Sequence, residues 1–384
     1  MTQPRSNDPA APYPTAAGGA APDAARAWAA EPAAYPRGPA PRALEPVEFT
    51  GSGREYFRIW AVNLCLSVLT LGLYSPWAKV RRLQYFYRHT RLAGASFDYH
   101  GKPTAILKGR LVVGVLLAAY YGLGYAAPVA GALVGLVLLA LSPWFFLQSL
   151  KFRMANTSYR GLRFRFHGTK GRAAGLLLLW PMFVGCSGYL LLPHWLWKLK
   201  KFEFEETSFG RARFTFGATS NAFYSAYLVG SLMAAPVVFV AGGLAVGALA
   251  STASEGDPEA MGPVLLAYGL LAAGYLAFRA FVQPYIAARV QQHVWSSVGL
   301  GAHHFVCDLR PAAAVSLAAK NVALTLLTLG LYAPYAAVAM TKLRAESVRL
   351  APGAPLDHLE ADDDVNVSAF ADAVGDYADY DFGL

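Results

Sequence analysis

NTSYRGLRFRFHGT, residues 156–169, returns fifty residues later as ETSFGRARFTFGAT, residues 206–219. In both copies phenylalanines alternate with polar residues, Phe164 and Phe166 in the first, Phe214 and Phe216 in the second. Alternation of period two is the pattern of a short half-buried strand. Gly161 and Gly210 sit where a tight turn is needed, and Gly168 and Gly217 end the strand. A third copy, HTRLAGASFDYHGKPT, covers 89–104 with Gly94 and Gly101 in the same places. A weaker copy, VGLGAHHFVCD, starts at Val298, and PVEFTGSG, from Pro46, reads as half of one. The chain thus divides into five units that begin near Phe49, Phe97, Phe164, Phe214 and Phe305. Each unit is a strand, a glycine, an apolar helical segment, a basic stretch and the next hairpin.

The segments between hairpins are membrane-like. Of the 384 residues, 55% are hydrophobic and 15% charged, against roughly a quarter charged in soluble domains. Leu111–Leu150 and Phe214–Ser254 contain no Asp, Glu, Lys or Arg. A bilayer span needs about 20 apolar residues, so each run accommodates helical spans. These runs lack alternation, which makes them helices rather than strands of a membrane barrel. The expected fold is an α-helical polytopic membrane protein with internal repeats, its short β-hairpins pairing into a small cytoplasmic sheet.

Charge orients it. Residues 47–349 hold 29 basic and 11 acidic residues, and the basic ones flank the apolar runs. That is the positive-inside pattern of a membrane protein, and it removes nucleic acid as the reading of the basic pI. Spans are expected at about 109–127, 129–149, 222–248 and 261–281, with their joints on the far side of the membrane. Three shorter segments, at about 57–76, 173–197 and 313–341, are basic on both sides and broken by Gly and Pro. Two topologies fit them. As full spans they would put Lys198–Lys201 outside; as re-entrant segments they would keep every hairpin in the cytoplasm, which is the reading preferred here. Residues 1–46 are rich in Ala and Pro, and 350–384 hold nine acidic residues and no basic one. Both are expected to be disordered.

A second repeat lies within the short segments. NLCLSVLTLGLYSPWAKV begins at Asn63 and NVALTLLTLGLYAPYAAV at Asn321, with eleven of 18 positions identical. Asn63 and Asn321, Gly72 and Gly330, Tyr74 and Tyr332, and Pro76 and Pro334 share the register, and Trp77 follows the first proline. These are the candidate intramembrane polar and motif residues. The asparagines fit interhelical hydrogen bonding, or a pair lining a path. Lys79, Arg81, Arg82, Arg88 and Arg91, beside Trp77 and the Tyr85–Tyr87 aromatics, are candidate contacts for lipid head groups of the anionic inner leaflet.

LTLGLYSPWAKVRRLQYFYRHTRLAGASFDYHG, with the later NTSYRGLRFRFHG, resembles the YjgN family of bacterial inner-membrane proteins, which is defined by a domain of unknown function. The resemblance covers roughly 47–349 and is most specific at Gly72, Tyr74, Pro76, Trp77, Lys79 and Arg81. In the later copy Tyr335 replaces the Trp and Ala337 the Lys. The resemblance implies a multi-pass protein of the bacterial inner membrane and brings no catalytic residues.

No phosphate-binding, zinc-hydrolase or nucleophile motif is present, so no enzyme activity, cofactor or metal is expected. Cys65, Cys186 and Cys307 are far apart and read as small hydrophobes, and His303 and His304 are adjacent on a strand and face apart. Two functions remain: a protein that binds membrane lipids or scaffolds partners, or a transporter or channel built from repeated broken helices.

Overall fold

The computed structural model describes residues 43–255 and 261–353; the expectation of disorder lies outside the described residues for 1–42 and 354–384, whereas Glu45 and Pro46, and Leu350 and Ala351, belong to strands. Each of the five units consists of a five-residue strand, a helical excursion and a short strand. Unit one is β1 (Glu45–Phe49), α1 (Gly53–Leu69), α2 (Ser75–His89) and β2 (Thr90–Leu92). Unit two is β3 (Ala95–Tyr99), α3 (Pro103–Ala126), α4 (Pro128–Ala155) and β4 (Thr157–Tyr159). Unit three opens with β5 (Leu162–Phe166) and α5 (Lys170–Ala174), continued by a π-helical turn (Gly175–Leu179) and α6 (Trp180–Cys186). It closes with α7 (Leu192–Glu205) and β6 (Thr207–Phe209). Unit four is β7 (Ala212–Phe216), α8 (Ser220–Glu255), α9 (Met261–Ala277), a second π-helical turn (Phe278–Val282), α10 (Gln283–Trp295) and β8 (Val298–Leu300). Unit five is β9 (His303–Cys307), α11 (Pro311–Leu327), α12 (Ala333–Glu346) and β10 (Val348–Ala351).

The hairpins do not form a small sheet. All ten strands join into one closed antiparallel barrel, in the order β1-β10-β9-β8-β7-β6-β5-β4-β3-β2. The two strands of each unit pair with each other, tight hairpins join successive units, and β1 pairs with β10 to close the ring. The half-hairpin at Pro46 finds its other half at the far end of the fold, Glu45 opposite Leu350 and Pro46 opposite Arg349. The physical reason is the edge. Strands of three to five residues in an open sheet would leave two unpaired edges, whereas a ring leaves none. β1 and β10 reach two residues beyond the 47–349 region at each end.

Local chemistry makes each unit. The turns carry the left-handed residues that two-residue hairpins require: Ala93 (φ 46°) and Gly94 (φ 77°), Arg160 (φ 48°) and Gly161 (φ 81°). At the opposite rim each of three long strands ends in an aromatic ring that folds over a glycine two residues on: Phe49 over Gly51, Tyr99 over Gly101, Phe166 over Gly168. A Cβ at any of these glycines would lie closer than 3.0 Å to the ring. Behind the rim, His100 Nε2 lies 2.8 Å from Ser158 Oγ and His167 Nε2 2.9 Å from Ser208 Oγ, the same link in successive units.

Because every hairpin turn is at one rim, every helical excursion leaves from and returns to the other. The first helix of each unit packs on the second helix of the preceding unit, and α1 on α12 closes this outer ring. Among the described residues four helices are long and apolar enough to cross a membrane: Pro103–Ala126, Pro128–Ala155, Ser220–Ser251 and Met261–Trp295. The strands are too short to be a membrane barrel, which needs about 9–11 residues per strand. In units one and five the chain reverses at Thr70–Tyr74 and Thr328–Tyr332. Gly72 (φ 89°) and Gly330 (φ 94°) donate to Ser67 O and Thr325 O, 2.7 Å each, and so satisfy the helix-end carbonyls. Leu71 and Leu329 at these tips are 95% and 94% exposed, unfavourable in water and natural in lipid.

Substituting Gly168 by Ala forces its Cβ into the Phe166 and Phe202 rings, whereas a Cβ at Gly175 meets nothing within 4 Å. Gly168→Ala is expected to destabilise by ~1–3 kcal/mol and Gly175→Ala to be neutral or slightly stabilising. Thermal unfolding of the two variants in detergent checks the contrast; equal melting temperatures would refute the ring-over-glycine account.

Candidate functional site

Pairing register puts one residue of every strand on the barrel's inner face at the same level. These are the facing pairs Val47 and Leu92, Phe97 and Tyr159, Phe164 and Phe209, Phe214 and Leu300, and Phe305 and Leu350. All ten line one cavity of about 320 Å³, within the usual size of a small-molecule pocket. The girdle is apolar apart from the Tyr159 hydroxyl, which donates to Leu92 O at 2.7 Å. Toward the hairpin end, buried His303 completes the lining, while its neighbour His304 faces out.

The other end is polar, and the second helix of each unit builds it. In three units a strand-initiating threonine turns back on its helix: Thr90 Oγ1 to Phe86 O (2.9 Å), Thr157 Oγ1 to Arg153 O (2.9 Å) and Thr207 Oγ1 to Glu203 O (2.6 Å). This bond satisfies a helix-end carbonyl and aims the residue four positions before the strand at the axis. Counting back in the same way gives Phe86, Arg153, Glu203, Val294 and Arg344 as the equivalent residues of the five units. All but Val294 line the cavity, joined by Gln291, whose Nε2 donates to Arg344 O at 3.0 Å.

Glu203 is the centre of this end. Its carboxylate is buried, ion-paired to the Arg153 guanidinium and, at 3.1 Å, to Lys200 Nζ. Burial alone would raise the carboxyl, but the Lys200 and Arg153 charges outweigh it and hold Glu203 below its ordinary value of 4.5. A depressed carboxyl binds its proton less readily in the folded than in the unfolded state. The stabilisation is complete above the unfolded value and is lost as pH falls through the folded one.

The residues singled out from the sequence lie elsewhere. Asn63 and Asn321 are buried between helices; Asn321 Nδ2 reaches Ala336 O at 3.4 Å, and the Oδ1 of each has no partner among the described residues. Gly72 and Gly330 make the hairpin tips. Tyr74 stacks on Trp77 (6.0 Å) and Tyr332 on Tyr335 (5.6 Å), while Pro76 and Pro334 are fully buried. Arg81 lies 5.8 Å from the Tyr74 ring, Arg88 pairs with Asp98 at 2.8 Å, and Arg91 is exposed on β2 opposite Ser96. Neither these nor Lys79 and Arg82 line the cavity, although Phe86 and Tyr87 of the same helix do.

Arg153, Glu203, Gln291, His303 and Arg344 went unrecognised, yet the sequence carries a signal for them. Pro76, Pro143, Pro193, Pro284 and Pro334 each lie fourteen positions before a short strand, each followed by Trp, Tyr or His, and all five are buried. That register aligns the five second helices and identifies the axial position.

Glu203→Gln removes the carboxylate between Arg153 and Lys200 and is expected to cost about 3 kcal/mol at pH 7. It should also flatten the loss of stability that the wild-type protein shows in acid. Melting curves from pH 3 to 8 check both; an unchanged melting temperature at pH 7 would show that the ion pair contributes nothing.

A family model described as "Bacterial protein of unknown function (DUF898)" matches residues 44–377. "Inner membrane protein YjgN" of Salmonella typhimurium is 30% identical over 145 residues, 38% of this chain and 37% of that protein. The protein of that name from Escherichia coli K12 is 30% identical over 125 residues, 31% of this chain and 30% of the relative. The matches thus span about a third of these relatives' length. No solved structure matches. With the whole repeat-built region covered, the chain belongs to the DUF898 family of bacterial proteins of unknown function, whose relatives here are the YjgN inner membrane proteins.

Proposed function

We propose that the protein is a lipid-interacting protein of the inner membrane, with its barrel on the cytoplasmic side and one small amphiphile held in the axial cavity. The observation that carries this reading is the division of the cavity: an apolar girdle through the barrel and a cationic, hydrogen-bonding end beneath the helices. An apolar tail gains by leaving water in the girdle. A polar or anionic head group meets Arg153, Arg344 and Gln291 at the other end. About ten heavy atoms fit, counting each as roughly the 30 Å³ of a water molecule. Lys102, Lys108, Arg110, Lys151 and Arg289, near the barrel-side ends of the long helices, support the cytoplasmic orientation. Units one, three and five are then re-entrant. From Ile59 to Leu69 the apolar part of α1 rises on the order of 17 Å, about half a bilayer.

The competing reading is passage along the axis. It draws on the cavity's position where all five units meet, and it predicts flux into liposomes. The amphiphile reading predicts retention instead. Radiolabelled octanoate, an anionic amphiphile of about the size the cavity admits, titrated onto the protein in nanodiscs, is expected to occupy one saturable site. Leu300→Trp, which fills the girdle, should abolish that site. Equal binding by the wild-type protein and the filled variant would discard the reading.

Orientation has its own test. In a chain lacking the three native cysteines, a cysteine at position 254 should react with an impermeant maleimide in intact cells, and one at position 201 should not. The reverse pattern would turn the barrel outward.

A further inference from the structure

We infer that unit three carries a second site, a groove that holds the phosphate of an anionic phospholipid. It lies between the π-helical turn and α7, has a volume of about 350 Å³ and shares no residue with the axial cavity. Trp180 and Trp197 wall it, and Arg172, Lys198 and Lys201 supply the positive charge. Lys198 Nζ lies 4.9 Å from the Trp180 ring and 5.8 Å from that of Trp197, and Lys201 Nζ lies 5.3 Å from Trp197.

Charge accounting singles out Lys198. Arg172 is ion-paired with Glu206, and Lys201 with Glu205 at 3.7 Å. Three cations against two carboxylates leave one positive charge, and among the described residues no carboxylate comes within ion-pair distance of Lys198. The ammonium is held by indole faces that an anion can share without displacing a salt bridge. Space for the anion comes from Gly175: a side chain there would meet no atom within 4 Å.

Depth selects the ligand. On one side of the groove the unit ends in an exposed apolar tip, with Met182 67%, Phe183 53% and Leu190 76% exposed. On the other, Glu206 adjoins β6 at the barrel rim. A groove between a lipid-facing tip and the rim lies at head-group level, where Trp and Lys are favoured and basic pockets take lipid phosphates. A soluble phosphate would use the cations and leave the indole walls idle; a phospholipid uses both. The head-group contacts expected on α2 are instead partly committed to Tyr74 and Asp98.

Native mass spectrometry of the delipidated full chain, titrated with phosphatidylglycerol or phosphatidylcholine, tests this. Phosphatidylglycerol is expected to bind at least about tenfold more tightly, and Lys198→Gln with Lys201→Gln to remove that preference. Gly175→Leu keeps every charge and fills the groove. It should weaken phosphatidylglycerol binding just as much, with an unchanged melting temperature that excludes misfolding as the cause. Equal binding of the two lipids, or wild-type binding by both variants, would overturn the proposal. So would displacement of phosphatidylglycerol by millimolar inorganic phosphate, which would make the groove a site for a soluble anion.

Discussion

Everything in this molecule hangs on the closure of ten short strands into a ring. None of the strands exceeds five residues, and a hairpin of that length is not stable by itself. Only when β1 meets β10 does every strand have two neighbours. Closure then constrains the helices. Both ends of each unit are tied to one rim of one barrel, so a helical excursion must return to the side it left. It crosses a membrane an even number of times or not at all. Units two and four have the length to cross twice; units one, three and five reverse early, at tips where leucines and Tyr189 are largely exposed.

The same constraint separates the tasks of the side chains. Outer helices meet lipid and need only be apolar. Rim positions must fit a ring over a glycine, as at Phe49, Tyr99 and Phe166. Inner strand positions face a closed space, and there bulky apolar residues recur in every unit. Asn63 and Asn321 fit this scheme as buried polar groups between helices of the two most similar units. Among the described residues Asn321 alone of the two makes a side-chain hydrogen bond, to the carbonyl of Ala336.

What could be read in the sequence follows from the range of each signal. Hairpins, turn glycines and the count of five units were legible because period-two alternation and Gly are local, and the long charge-free runs identified the membrane helices. Closure was not legible. Val348–Ala351 is a four-residue strand without a hairpin of its own, and its partner lies three hundred residues earlier. A small sheet was therefore the expectation, and a barrel is the result. The axial cluster was missed for a related reason. Arg153, Glu203 and Arg344 sit on helices whose surroundings read as plain basic flanks, and only the register from strand back to helix, marked by the five buried prolines, shows that they converge.

Convergence on an axis also explains why the units differ most where they meet. A repeated residue at the barrel girdle adds one more apolar wall. A repeated charge four positions before the strand would bring five like charges together around one cavity, and at an effective dielectric near 20 each close like-charged pair is opposed by roughly 4 kcal/mol. The axial set Phe86, Arg153, Glu203, Val294 and Arg344 avoids this with two apolar residues, two cations and one carboxylate. Glu203 pairs with the cation of the neighbouring unit and with Lys200 one turn above it on its own helix. Val294 does not line the cavity and Phe86 adds no charge, so the cavity is lopsided, charged on the side of units two, three and five and uncharged on that of units one and four. A ring of near-identical units thereby obtains a direction that its symmetry would deny it, and a binding site for an asymmetric molecule needs one.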